Sequence, residues 1–221
     1  MEFILHPTRK TMKWRIPTKQ LSAISLLSAV GVVVRMGLGW VAYSLPAVPL
    51  PFGFSLYGIF IKIGLTETLA FISGFAFGPV QGFMTGVLMI VVSDIFSMYG
   101  PGLWTPFIAA IIGLLGICGG LFRRFSENPS IIFLSISAVI LTIVSQLFQD
   151  IWFAWYMWAF YMPETPFLIV LATSLLGGIA STVTALVNNV FFFVTVAPVT
   201  IKMLQKWVVL KAPVGEEADR P

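Results

Sequence analysis

Long apolar segments alternate along the chain with short clusters of proline, glycine and charged residues. A helix rises about 1.5 Å per residue, so about 20 apolar residues cross the hydrocarbon core of a bilayer. Breakers such as Gly78-Pro79 and Gly100-Pro101-Gly102 separate one apolar segment from the next. We therefore predict an all-α membrane protein, a bundle of six transmembrane helices at Leu21–Leu45, Leu56–Phe75, Val80–Met98, Trp104–Phe122, Ile131–Phe153 and Phe167–Val199.

This pattern predicts three parts of the chain. Residues 1–19 form a basic arm, residues 20–205 form the six-helix transmembrane domain, and residues 206–221 form a C-terminal tail. The apolar run after the arm continues for about 25 residues, whereas the core of a secretory signal has about 7–15. We therefore expect the first apolar segment to be a membrane span rather than a cleaved signal.

The composition supports the membrane class. Of the 221 residues, 58% are apolar and 10% are charged, whereas a soluble domain has about 25% charged residues. The abundant aromatic residues argue against disorder. A single cysteine, Cys118, and a single histidine, His6, exclude a disulfide framework and a zinc or iron–sulfur centre built in one chain. We expect no metal and no cofactor.

Basic residues gather at alternate ends of the predicted spans. Glu164 is the only charge in the three loops of the other side. By the positive-inside rule, both termini and the loop between the fourth and fifth spans are cytoplasmic. This placement is a topology signal rather than a surface for nucleic acid. The basic residues are Arg9, Lys10, Lys13, Arg15, Lys19, Arg123, Arg124, Lys202, Lys206, Lys211 and Arg220.

Charged residues inside the spans are candidates for function. Each costs about 2.5–3.5 kcal/mol at the bilayer centre, so it needs a partner, a water-filled cavity or the interface. Their positions predict that four lie in the outer half of the membrane, with Glu67 nearer the middle. A solvated polar cavity, structural ion pairs such as Arg35 with Asp94, and snorkelling to the headgroups are all open interpretations. The five residues are Arg35, Lys62, Glu67, Asp94 and Asp150.

Amide side chains extend this polar set. Gln146 and Asp150 share a helix face at a spacing of four residues. Asn188 and Asn189 bring amides to the last span. These residues therefore join the candidate substrate-binding set.

Aromatic residues are concentrated at the same outer level. One interpretation is an interfacial belt, and another is that one or two rings stack on a planar ligand. Trp155 and Tyr156 lie just beyond Asp150, and Trp104 begins a span beside Gly100-Pro101-Gly102, so we include Trp104 and Trp155 among the candidate ligand contacts. The whole group is Trp40, Tyr43, Trp104, Trp152, Trp155, Tyr156, Trp158 and Tyr161.

Small residues at four-residue spacing predict close helix contacts. Gly78, Gly82 and Gly86 form one such series, Gly116 and Gly120 another, and Ser25 and Ala29 a third in the first span.

The order of these features resembles the substrate-binding S components of energy-coupling factor (ECF) vitamin transporters. The basic arm leads into the Leu21–Arg35 segment, and the stretch Gly74–Gly86 contains the motif Phe-Gly-Pro-x-x-Gly-x-x-x-Gly. Ser93-Asp94 and a glycine-rich fourth span that ends at Arg123-Arg124 follow. The resemblance covers roughly residues 19–205, and the Gly74–Gly86 stretch is its most specific part.

The resemblance implies a capture subunit, not an enzyme, for a vitamin or related micronutrient. It implies a first helix whose Ala-xxx-Ala motif contacts a transmembrane coupling subunit, which works with a pair of ATPases. Ser25 and Ala29 occupy those positions, and serine departs from the motif. The chain has no Gly-x-x-x-x-Gly-Lys-Ser/Thr sequence, so a partner must bind ATP. The family holds ligands in regions that here contain Trp104, Gln146, Asp150 and Trp155.

Other functions stay open at this point. A stand-alone secondary transporter would relay protons through Glu67 or Asp94, and an intramembrane enzyme acting on lipid, or a scaffold, is also possible. Mixed charges indicate a polar or zwitterionic ligand, and the aromatic residues permit a heterocycle. The predicted substrate-binding residues are Arg35, Lys62, Glu67, Asp94, Trp104, Gln146, Asp150, Trp155 and Asn188.

Overall fold

The computed structural model describes residues 18–44, 65–97, 100–125 and 129–209. Within these ranges the protein is entirely helical. The six helices are α1 (Thr18–Ser44), α2 (Leu65–Phe77), α3 (Pro79–Ile95), α4 (Trp104–Phe122), α5 (Ile131–Phe160) and α6 (Phe167–Val209). Several predicted parts lie outside the described residues: residues 1–17 of the N-terminal arm, the first outer loop, residues 56–64 of the second span with Lys62, and residues 210–221 of the tail. Thr18 and Lys19 of the predicted arm already belong to α1.

Several predicted helix ends agree with the structure. Helix α4 has the predicted bounds, and α5 begins at Ile131 after Ser130, whose hydroxyl accepts a hydrogen bond from the Phe133 amide (3.1 Å). That contact is an N-cap, which satisfies one of the amides that a helix start leaves unpaired. Helix α6 begins at Phe167, as the proline before it predicts.

Other predicted ends were wrong. Helix α3 ends at Ile95 rather than Met98. Helix α5 continues past Phe153 to Phe160 because the aromatic segment contains no breaker. Helix α6 continues past Val199 to Val209 and contains Pro198 within its length. Hydropathy marks where a segment leaves the membrane, whereas a helix ends only where its backbone hydrogen bonds end.

Four of the described helices, α1, α4, α5 and α6, are long and apolar enough to cross a membrane. Helices α2 and α3 have 13 and 17 residues and are shorter. The structure therefore supports a multi-helix membrane protein, and the six-span arrangement remains a prediction.

The chain reverses direction between α2 and α3 at Gly78. Its φ of +121° is a conformation that residues with a Cβ rarely adopt. Pro79 then begins α3, where its missing N–H costs nothing. The Phe77-Gly78-Pro79 part of the Gly74–Gly86 stretch is thus the turn that places α2 and α3 side by side.

Glycines bring α2, α3 and α4 into backbone contact. A Cβ added to Gly74, Gly82 or Gly116 would collide with backbone atoms of a neighbouring helix, and one added to Gly86 would lie 2.7 Å from the carbonyl oxygen of Ile112. This glycine seam confirms the close helix contacts predicted for Gly82, Gly86, Gly116 and Gly120. The same prediction does not hold for Gly78, which has only the Gln81 side chain nearby, or within the bundle for Ser25 and Ala29, which are exposed. The residues of the seam are Gly74, Gly82, Gly86, Gly116, Gly119 and Gly120.

Helix α1 runs parallel to α3 along one side of the seam. The side-chain amides of Gln20 and Gln81 are 3.1 Å apart near the start of both helices. Near their ends, Arg35 donates a hydrogen bond to the Ser93 hydroxyl (2.8 Å). These contacts fix the register of α1 on the bundle.

Helices α5 and α6 form an antiparallel hairpin, which packs on the bundle chiefly through α6 against α2. Phe193 of α6 contacts Phe71 of α2, with ring centroids 4.9 Å apart. From Ala185 onward, the buried side chains of α6 recur every four residues, so they form one stripe that faces the bundle. They are Ala185, Asn189, Phe193, Ala197 and Ile201.

The bundle has two chemically different ends. At one end, Arg123 donates a hydrogen bond to the Ala76 carbonyl (2.8 Å) at the end of α2. We call this the Arg123 end and the opposite one the Asp94 end. Arg124, Lys202 and Lys206 also belong to the Arg123 end, given the helix directions, which matches the predicted segregation of charge.

Candidate functional site

An ion pair joins α1 to α3 at the Asp94 end. The Arg35 Nη2 atom lies 3.0 Å from the Asp94 Oδ1 atom. The Asp94 side chain is 4% exposed and that of Arg35 is 32% exposed. A carboxylate this deeply buried needs a hydrogen-bonded counter-charge, and Arg35 supplies it.

Two hydroxyl groups complete the surroundings of this pair. Thr105, in the first turn of α4, donates a hydrogen bond from its hydroxyl to Asp94 Oδ2 (2.6 Å). The same hydroxyl accepts a hydrogen bond from the Gly102 amide (3.1 Å). Ser93 accepts from Arg35. The Asp94 carboxylate therefore links three helices and the loop before α4.

A second polar cluster lies deeper, where α2 meets the hairpin. Asn189 Nδ2 donates to the Glu67 carboxylate and to the Thr142 hydroxyl, the latter at 2.8 Å. All three side chains are buried, at 7%, 1% and 2% exposure for Glu67, Asn189 and Thr142. The Asn189 Oδ1 atom is buried without a hydrogen-bond partner. An unpaired buried acceptor is costly, which makes this cluster a candidate for function.

Asp150 belongs to a third location, between α5 and α6. Its carboxylate lies against the backbone of α6 at Gly178, where an added Cβ would come within 2.9 Å of Asp150 Oδ1. The absence of a side chain at Gly178 lets the carboxylate lie this close to α6, and a larger residue there would displace the Asp150 side chain.

A cavity of about 400 Å³ opens beside Asp150. The volume lies within the range of small-molecule sites, about 300–1,000 Å³. Helix α6 contributes small or hydroxyl-bearing residues, and α5 and the turn after it contribute aromatic and thioether groups. The lining residues are Asp150, Phe153, Met157, Met162, Val170, Thr173, Ser174, Gly177 and Gly178.

The predicted aromatic contacts do not line this cavity. The Trp104 ring folds back over Gly102, close enough that a Cβ at Gly102 would meet it. Trp155 is 47% exposed and packs edge-on against Phe160. Trp152 stacks between Phe107 and Tyr156. At the Asp94 end, these rings instead contact neighbouring rings or the backbone of Gly102.

The other predicted residues fall in various places. Gln146 is buried on α5, one turn before Asp150. Asn188 is half-buried, whereas its neighbour Asn189 faces the bundle. Lys62 lies outside the described residues. The structure thus brings Arg35 and Asp94 together, places Glu67 of α2 against the hairpin, and places Asp150 within the hairpin, between α5 and α6.

Ser25 and Ala29 are both exposed on α1, on the side away from buried Ile24 and Leu27. Within the described ranges, no three or more His, Cys, Asp or Glu side chains come together as a metal-binding group.

Sequence reasoning missed several residues of these sites. Thr105 and Thr142 gave no signal, because a hydroxyl in an apolar helix often bonds its own backbone. The importance of Asn189 over Asn188 could have been found from the four-residue spacing of Ala185, Asn189, Phe193 and Ala197.

Comparison with known proteins gives no further information, since no protein-family model, curated protein or solved structure matches this chain.

Proposed function

We propose that this chain is the substrate-capture subunit of an ECF-type importer for a vitamin or related polar, heterocyclic micronutrient. The observation that carries the proposal is the cavity beside Asp150. It lies at the Asp94 end, opposite the end that holds Arg123, Arg124, Lys202 and Lys206. If the positive-inside rule applies, the cavity is on the outer side and the termini are cytoplasmic.

The composition of the cavity suits solute capture. Binding sites for small molecules are mostly apolar, with a few polar groups that fix orientation. Phe153, Met157 and Met162 supply the apolar wall, while Asp150 and Ser174 supply the polar groups. The given sequence contains no Gly-x-x-x-x-Gly-Lys-Ser/Thr motif for ATP binding. We therefore propose that separate ATPases drive the import.

The exposed side of α1 supports the proposed partner. Ser25 and Ala29 leave a shallow strip where another helix can approach closely. The transmembrane coupling subunit would dock there. The proposal assigns Arg35 and Asp94 to holding α1 against the bundle beside that strip.

Native mass spectrometry of the detergent-purified protein, followed by tryptophan fluorescence titration with a vitamin panel, tests the proposal. We expect one retained small molecule, or quenching by one compound at nanomolar concentration. Gly177→Leu should abolish this binding, because Gly177 lines the cavity and a Cβ there meets nothing within 4 Å. Gly37→Leu on α1, with equally open surroundings, is the matched control.

Absence of any ligand across the panel would contradict capture. Uptake by cells that lack every coupling subunit would instead favour a secondary transporter.

A further inference from the structure

We propose that the cavity beside Asp150 recognises a positively charged nitrogen, so that its ligand is an organic cation. This inference rests on the proposed capture function and names the class of substrate. It begins from the lining of the cavity, in which Asp150 is the one charged side chain among the described residues that form the wall.

The rest of the wall favours an organic cation over a metal ion. Phe153 presents an aromatic ring, and Met157 and Met162 present polarisable thioethers. Aromatic faces attract alkylammonium groups, and methionine adapts to irregular apolar shapes. A hard metal ion would need several oxygen ligands. The wall provides one carboxylate and the hydroxyls of Thr173 and Ser174.

The position of the carboxylate is fixed by α6. Gly178 allows Asp150 to sit directly against the helix backbone, and Gly177 leaves the adjoining surface bare. A carboxylate has two oxygens with about four acceptor sites, so it can serve more than one partner at the same time. The charged nitrogen of a ligand can therefore approach Asp150 while its apolar part contacts Phe153 and Met157.

A matched pair of probes tests the inference without a variant. Benzyltrimethylammonium and its neutral isostere neopentylbenzene have nearly the same shape, and 4-tert-butylbenzoate supplies the anion. We expect the detergent-purified protein to bind the cation at least about tenfold more tightly than the neutral probe, since a carboxylate at contact distance favours the charged form. Binding of the neutral probe equal to that of the cation would overturn the inference.

Asp150→Asn removes the charge and keeps the shape. We expect this variant to lose the preference for the cation while Gly37→Leu retains it. If Asp150→Asn does not fold, Gly177→Leu still shows whether the cation binds in this cavity, because it fills the space and leaves the charge in place. Binding of the cation that survives Gly177→Leu would overturn the inference.

The cation could come from a free solute or from a lipid headgroup. Titration of benzyltrimethylammonium in nanodiscs of phosphatidylethanolamine and of phosphatidylglycerol separates the two. A headgroup occupant predicts competition only in phosphatidylethanolamine, with retained lipid in native mass spectra, whereas a free solute predicts equal affinity in both. Either result supports a cation site and identifies its source.

The test also separates the inference from the function on which it rests. Suppose that a neutral or anionic vitamin binds, that Gly177→Leu abolishes its binding, and that Asp150→Asn leaves its affinity unchanged. This result would support the capture function and overturn the assignment of the ligand as a cation. Binding of no vitamin and no probe would overturn both.

Discussion

The Arg35 guanidinium lies 3.0 Å from the Asp94 carboxylate and joins α1 to α3 at the end of the bundle opposite Arg123. The contact ties together positions 59 residues apart in the chain (94 minus 35). It also leaves neither charge alone in an apolar environment.

Removal of one partner of this pair should destabilise the protein more than removal of both. We expect Asp94→Asn and Arg35→Gln each to cost about 1–3 kcal/mol. This loss of unfolding free energy lies between those for breaking exposed and fully buried ion pairs, because Arg35 is partly exposed. The double variant should lose less unfolding free energy than the two single variants lose in sum. Thermal unfolding of all four proteins in one detergent measures the coupling, and strictly additive losses would show that the pair does not stabilise the fold.

Alanine in the glycine seam should be poorly tolerated. In Gly116→Ala the new methyl group would collide with the backbone of α3 at Gly82. Overpacking of this kind costs about 1–3 kcal/mol, and here the obstacle is backbone rather than a movable side chain. Gly37→Ala is the control, since its Cβ meets nothing within 4 Å. Equal melting temperatures for the two variants would contradict the seam.

The deep polar cluster should depend on Asn189. Asn189→Ala removes the donor to Glu67 and Thr142, and we expect a loss of about 1–3 kcal/mol, the cost of leaving buried polar groups unsatisfied. Asn188→Ala, at the half-buried neighbouring position, should cost less. Denaturant unfolding in micelles compares the two. A larger loss at Asn188 would mean that the last helix is rotated from the orientation described.

Cysteine labelling tests which end of the bundle is cytoplasmic. In a Cys118→Ser background, Tyr161→Cys and Phe125→Cys place single thiols at the two ends, where the native side chains are 63% and 80% exposed. An impermeant maleimide should label position 161 in intact cells and position 125 only after permeabilisation. The reverse pattern would invert the proposed topology and place the cavity inside.

The sequence allowed the helical class and the close contacts of the glycines to be predicted, because both depend on local spacing. The pairing of Arg35 with Asp94 was one of several interpretations, and the structure shows that the contact exists. The two helices run in the same direction, so charges near both of their ends come to one level.

The cavity could not be predicted in the same way. Its formation depends on the register between α5 and α6, which sets Gly177 and Gly178 opposite Asp150. Neither Asp150 nor the Gly177-Gly178 pair, taken alone in the sequence, shows how α5 and α6 align. Trp104 and Trp155 were assigned to ligand contact from their depth, but depth does not show whether a ring faces a cavity, the surface or a neighbouring ring.

Among the residues that the structure describes, those that line the cavity all come from the continuous segment between Asp150 and Gly178. The glycine seam, by contrast, lies wholly in α2, α3 and α4. Under the proposed function, the residues that set ligand preference therefore lie in a single short segment, separate from the glycine seam, where added side chains collide with backbone. Exchange of that segment between chains with a similar seam should transfer specificity and leave the scaffold intact.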